Sequence, residues 1–110
     1  MRTNLSDSFR TVPPVAPING RARIIARNTF RYSTGTGATV TRLHLTDICR
    51  IESDGRATLD SGGWRTMTTR DRINDALRGT GFRVIAERGV WHCVADGQSV
   101  PFYDGVTLPD

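Results

Sequence analysis

The spacing of apolar positions along this chain changes several times, and each change marks an element. Over residues 39–45 the chain alternates, with Thr39, Thr41, Leu43 and Leu45 on one side and Val40, Arg42 and His44 on the other. A period of two is that of a half-buried strand. Residues 48–52 and 56–60 flank Ser53-Asp54-Gly55, and an Asp-Gly pair in a short polar loop predicts a hairpin. From about 69 to 78 the period lengthens: Ile73, Ala76 and Leu77 fall on one helical face, while Arg70, Asp71, Asn74 and Asp75 fall largely on the other. Thr68 or Thr69 is placed to cap this helix, Asp71 to sit in its first turn near the positive end of its dipole, and Gly79 or Gly81 to end it.

Strand spacing returns over residues 82–87 and 90–95, around Arg88-Gly89, a two-residue loop suited to a tight hairpin. Asp96-Gly97 ends that pair, and residues 98–107, with Val100, Phe102, Tyr103 and Val106, give a last strand or extended segment. Upstream, residues 21–29 (RARIIARNT) have the β-branched centre of a strand, and residues 33–37 (STGTG) form a turn cluster. Residues 1–19 hold Pro13, Pro14 and Pro17 among Ser, Thr and Asn, the composition of a flexible arm.

The expected architecture is α+β: a mostly antiparallel sheet of about five to six strands, with a single helix (about 69–78) packed on one face. It occupies one domain, residues 20–110, behind an N-terminal arm, residues 1–19. Trp64, Trp91, Phe30, Phe82, Phe102, Tyr32 and Tyr103 supply most of the large core groups. A hydrophobic content of 37% in 110 residues implies a small core, one that a partner or an oligomer would help to complete. The oligomeric state itself is left open.

Charge adds a second layer. All fifteen positive side chains are Arg and none is Lys, as codon usage in a GC-rich genome would produce, or as selection for a planar, bidentate fork would. Residues 1–50 hold eight Arg against Asp7 and Asp47, while residues 51–110 hold seven Arg against nine acids. Such a basic N-terminal half points to an acidic partner. Arg21, Arg23, Arg27 and Arg31, interleaved with Phe30 and Tyr32, form the best candidate contact surface. Arg65, Arg70, Arg72 and Asn74 extend it if the fold brings them together. Nucleic-acid grooves combine the same residue types, and so do solvated strands whose Arg simply face water.

Candidate chemistry is sparse. His44, Cys49, His92 and Cys93 are the only soft metal ligands, and His92 and Cys93, adjacent on a strand, point to opposite faces, so no metal is expected. No catalytic constellation and no cofactor motif stands out. Gly62-Gly63 lacks the Lys and the spacing of a phosphate-binding loop. It reads as a tight turn that sends Trp64 into the core. Two cysteines make no disulfide framework, and neither a signal peptide nor a membrane span is evident, so a soluble cytoplasmic protein with free thiols is expected.

Four segments together resemble a family of small proteins encoded by tailed bacteriophages and prophages: RLHLTDI at 42–48, LDSGGWRTMTTRDRIN at 59–74, GVWHCV at 89–94 and VPFYDG at 100–105. This resemblance covers roughly residues 38–107. It implies a phage origin, a role in the cytoplasm of the infected bacterial host, and no catalytic residues to carry over. It leaves the RARIIAR strand outside. The expectation that follows is a non-enzymatic binding protein that inhibits a host defence machine, an anti-CRISPR protein acting on a host complex such as a CRISPR effector. The alternative is a basic nucleic-acid-binding accessory protein of phage replication or expression.

Overall fold

The computed structural model describes residues 22–109; the expected arm, residues 1–19, and Arg21 lie outside the described residues. Within them run nine strands and one helix: β1 (Ala22–Ala26), β2 (Thr29–Ser33), β3 (Thr39–Leu43), β4 (Thr46–Ile51), β5 (Ala57–Leu59), α1 (Met67–Ala76), β6 (Arg83–Glu87), β7 (Val90–Ala95), β8 (Gln98–Pro101) and β9 (Val106–Leu108). Every strand pairing is antiparallel. A six-stranded sheet has the order β9-β5-β4-β3-β2-β1, and a three-stranded sheet the order β6-β7-β8.

The α+β class stands, but the strand count exceeds the expected five to six, for two physical reasons. Asn28 adopts a left-handed backbone (φ 55°) and turns the chain back at Arg27-Asn28, inside the run 21–29 expected as one strand, so that Thr29–Ser33 is a strand of its own. His44, also left-handed (φ 54°), makes the β3–β4 turn with Leu45, at the end of the run 39–45 that alternates without a break. Likewise, residues 98–107 are two strands in different sheets, separated by the turn that closes through the Val106 N–H and the Tyr103 carbonyl. The Arg88-Gly89 hairpin is present as expected. Both of its loop residues take positive φ (54° and 79°), as do Asp96 and Gly97 (51° and 76°) in the next hairpin, the primed geometry that matches strand twist.

The helix begins two residues earlier than expected. Thr66, in an extended conformation, is the N-cap and its side chain accepts from the Thr69 N–H. Asp71 therefore lies beyond the first turn, which carries no acidic residue. Ile73 and Leu77 are fully buried, as the 3.6-residue period requires. They join Leu43, Ile48, Cys49, Leu59, Val84, Trp91, Phe102, Val106 and Leu108 in a core fed by both sheets and the helix. Trp91 and Phe102 meet edge to face at 5.1 Å.

Two devices fix these layers. In β4, Thr41 pairs with Cys49 and Arg42 with Asp47, so Ile48 is an extra, bulged residue. The bulge lets Ile48 and Cys49 both turn inward although they are adjacent. Asn74 joins the helix to the smaller sheet: its Nδ2 donates to the Val84 carbonyl at 2.9 Å and its Oδ1 accepts from the Val84 N–H at 2.7 Å. The side-chain amide thus stands in for a neighbouring strand on β6.

Candidate functional site

The nine side chains singled out for partner contact do not assemble into one surface. Arg21 lies outside the described residues. Arg23 and Arg27 are exposed on β1 and the turn after it. Arg31, opposite Arg23 in register, turns under the helix instead. Its Nε donates to Thr41 Oγ1 at 3.1 Å, and its Nη2, buried, reaches Asp75 Oδ2 at 3.6 Å. Arg72 Nε donates to Thr29 Oγ1 at 3.1 Å. Beside them, a groove of about 450 Å³ between β1 and α1 carries Arg72 and Arg78 but also Asp71 and Asp75, so its charges cancel.

Tyr32 points to the opposite face of the large sheet. Its hydroxyl donates to Asp47 and accepts from Arg42, each at 3.1 Å, while Arg42 Nε donates to the other Asp47 oxygen. Burial, with the Asp47 charge second, pushes the Tyr32 phenol up to about 12. For Arg42 burial works in the lowering direction, yet the hydrogen bond and charge of Asp47 hold it above its ordinary value. Arg70 lies half-buried on α1, and Asn74 is committed to Val84. Arg65 lies with its guanidinium 4.8 Å from the Phe102 ring centre and 5.4 Å from that of Trp91. It also donates to Ser61 Oγ at 3.0 Å. Most of these groups therefore have internal partners.

A different surface is open. Ser61 is buried and anchors the loop that follows: its N–H and hydroxyl both donate to Asp104 Oδ1 at 2.7 Å, and its Oγ accepts from the Gly63 N–H. Gly62 (φ 64°) presses so closely on Thr46 that a β-carbon there would collide with the Thr46 hydroxyl. Arg65 takes the inward position over the aromatic pair, and Trp64, its neighbour, is turned out to 69% exposure. Trp64 is therefore not the core residue that its Gly-Gly turn led us to expect.

Beside it stands Leu45 at the tip of the β3–β4 hairpin, 77% exposed; Met67, the first residue of α1, is 68% exposed. Between the hairpin and the helix lies a groove of about 530 Å³ lined by Leu43, Leu45, Ile48 and Trp64, with His44 and Thr68 among its polar groups. Large apolar side chains clustered at a surface mark an interaction site, and Trp and Met are enriched in binding surfaces. Leu45 was not singled out from sequence as a contact residue, and His44 was weighed only as a metal ligand; the available signal was Trp64 itself, between a Gly-Gly turn and an Arg.

Among the described residues no group of three or more His, Cys, Asp or Glu is placed to hold a metal. Cys49 and Cys93 are both buried and not joined in a disulfide, and burial, opposed by the nearby Arg31 charge, pushes the Cys49 thiol up to about 12, far from a reactive thiolate. Among the described residues, no helix is long and apolar enough to cross a membrane.

A family model described as Kyanoviridae Gp96 protein matches residues 14–109. The match includes the RARIIAR strand, which the motif resemblance had left outside. No match was found among curated proteins or among solved structures.

Proposed function

The chain belongs to the Kyanoviridae Gp96 protein family, and from that premise we propose that it is a non-enzymatic phage protein that binds a host protein assembly through the Trp64 groove and blocks it. The observation that carries the binding reading is the exposure of Leu45 and Trp64 on one groove. Two such side chains held open to water are unfavourable for an isolated fold and favourable at a contact surface, where Trp anchors commonly dominate the binding energy. The rigidity of the loop supports the same reading, because the Ser61–Asp104 bonds and the Arg65 stack present Trp64 already ordered.

The specific form we propose is inhibition of a host defence machine in the infected cell's cytoplasm, as an anti-CRISPR protein. Its support is the phage family and the small size of the chain, with no residue assigned to that target. The nucleic-acid-binding alternative draws on the net charge of +4. It needs unpaired Arg side chains, and Arg31, Arg42, Arg50, Arg56, Arg65 and Arg78 all have acidic neighbours.

The test is affinity purification of the tagged full chain from nuclease-treated host lysate, beside a Trp64→Ala variant. Recovery of a defence complex with the native chain and its loss with the variant support the proposal. Equal recovery by both chains removes the groove, and loss of every partner on nuclease treatment favours the nucleic-acid reading.

A further inference from the structure

Resting on the binding reading above, we infer the chemistry of the occupant: an acidic segment of a partner protein that inserts one bulky apolar side chain beside Trp64 and sets a carboxylate against the groove's polar rim. The apolar half of the argument is the lining itself, Leu43, Leu45, Ile48 and Trp64. A groove of about 530 Å³ is within the range that holds compact ligands or a few side chains, roughly 300–1,000 Å³.

The acidic half comes from charge. No Asp or Glu lines the groove; Asp71, three residues beyond Thr68, lines the other groove, between β1 and α1, and three further carboxylates near the lining residues are engaged elsewhere. Asp47 is held by Arg42 and Tyr32, Asp60 accepts from the Gly62 N–H, and Asp104 accepts from Ser61. Among the described residues the His44 ring and the Thr68 hydroxyl have no internal hydrogen-bond partner, and both line the groove. These groups can donate to a carboxylate, in a chain of net charge +4, which attracts an acidic segment and repels a basic one.

Other occupants fit less well. A second copy of the chain would bring the same polar groups and the same positive charge. A nucleic acid would need cations in the groove, and no Arg lines it; Arg65, next to Trp64, stacks on Phe102 and Trp91, and Arg42, next to Leu43, is held by Asp47.

The experiment is selection of short randomised peptides on the immobilised full chain, with counter-selection on Trp64→Ala, followed by titrations read by tryptophan fluorescence. We expect enriched peptides to pair Leu, Phe, Trp or Met with a neighbouring Asp or Glu. Their affinity should fall at least about tenfold in Trp64→Ala. Thr68→Glu, which adds a carboxylate at the rim, should weaken them by about tenfold, whereas Thr68→Arg should hold or strengthen them. Thr68 is exposed, so both variants retain the fold. Enriched peptides that are basic or lack carboxylates, equal responses to the two Thr68 variants, or no enrichment at all would overturn the inference. If Trp64→Ala also loses the host assembly while the peptides lack acids, the groove stands and the acidic occupant falls.

Discussion

The Arg-rich edge formed by β1, β2 and α1 and the groove beside Trp64 invert what their residue types advertise. Arginines that look like a binding face reach inward: Arg31 to Thr41 and Asp75, Arg72 to Thr29. A tryptophan that looks like core stands in water. What separates the two regions is the supply of partners. The helix packs on β3, β4 and β6 and sets Asp75 near Arg31 and Arg72 against the Thr29 hydroxyl of β2, whereas the loop after Ser61 spends its one inward position on Arg65. Residue type sets what a side chain can do, and the neighbours that the fold supplies decide which of those things it does.

The sharpest test of this contrast is Trp64→Ala. Truncating an exposed side chain should change stability by less than about 0.5 kcal/mol, while truncating an interface anchor should weaken binding to the host assembly by about 2–4 kcal/mol. Denaturant titration and calorimetry on one preparation measure both; a large stability loss would return Trp64 to the core.

Next in size is Asn74→Ala. It strands the Val84 N–H and carbonyl, and unfolding in urea should show a loss of about 2 kcal/mol, with faster amide exchange at Val84. Unchanged stability would free Asn74 for the contact role proposed from sequence.

Beneath Arg31, Cys49 offers a pH test of how closed that region is. Burial pushes its thiol from 9.0 to about 12, so the fold favours the neutral form more than the unfolded chain does. The contribution is complete below pH 9 and is lost as pH rises from there toward 12, by about 1.4 kcal/mol per pH unit. Tyr32, raised in the same direction, adds to the loss at the upper end. Cys49→Ala should flatten the decline in urea midpoint between about pH 8 and about pH 11; an identical slope would mean that the site is open to water.

The smallest effect belongs to the double variant Arg23→Glu with Arg27→Glu. Exposed Arg contribute little, so stability should shift by less than about 0.5 kcal/mol, and binding of the assembly should weaken only slightly, through the fall of the net charge from +4 to zero. Collapse of binding would make the charged edge the contact surface and reverse the comparison.

Much of the fold was legible because local signals carried it. Asp54-Gly55 and Arg88-Gly89 are hairpins, Ile73 and Leu77 are the buried helix positions, and alternation located β3, β4, β6 and β7. The helix cap was misplaced by two residues because Thr66, Thr68 and Thr69 are all competent caps, and the choice depends on where the Ser61 anchor releases the chain. The β1–β2 turn escaped because Asn28 lies inside a β-branched stretch, residues 21–29, that reads as one strand, and the β3–β4 turn was misplaced because His44 takes a left-handed conformation without a Gly or Asn to announce it. Trp64 could not be placed from sequence, since its exposure depends on Arg65 reaching Phe102 and Trp91 from another sheet. The internal pairing of the Arg side chains was equally non-local: Arg31 and Asp75 are far apart in the chain and meet only once the helix packs.

Strands β1 to β4 each pair with their immediate successor, whereas β9 reaches β5 across the whole smaller sheet and the helix, setting Val106 against Leu59 and Leu108 against Ala57. On a ribosome this makes the large sheet a zipper that closes from its first strand and then waits. Local hairpins form as they emerge, while the outer edge of β5 stays bare until residues 106–108 have been synthesised. A nascent chain stalled before Val106 therefore carries an unpaired apolar edge, the moment in this protein's life when it most needs a chaperone.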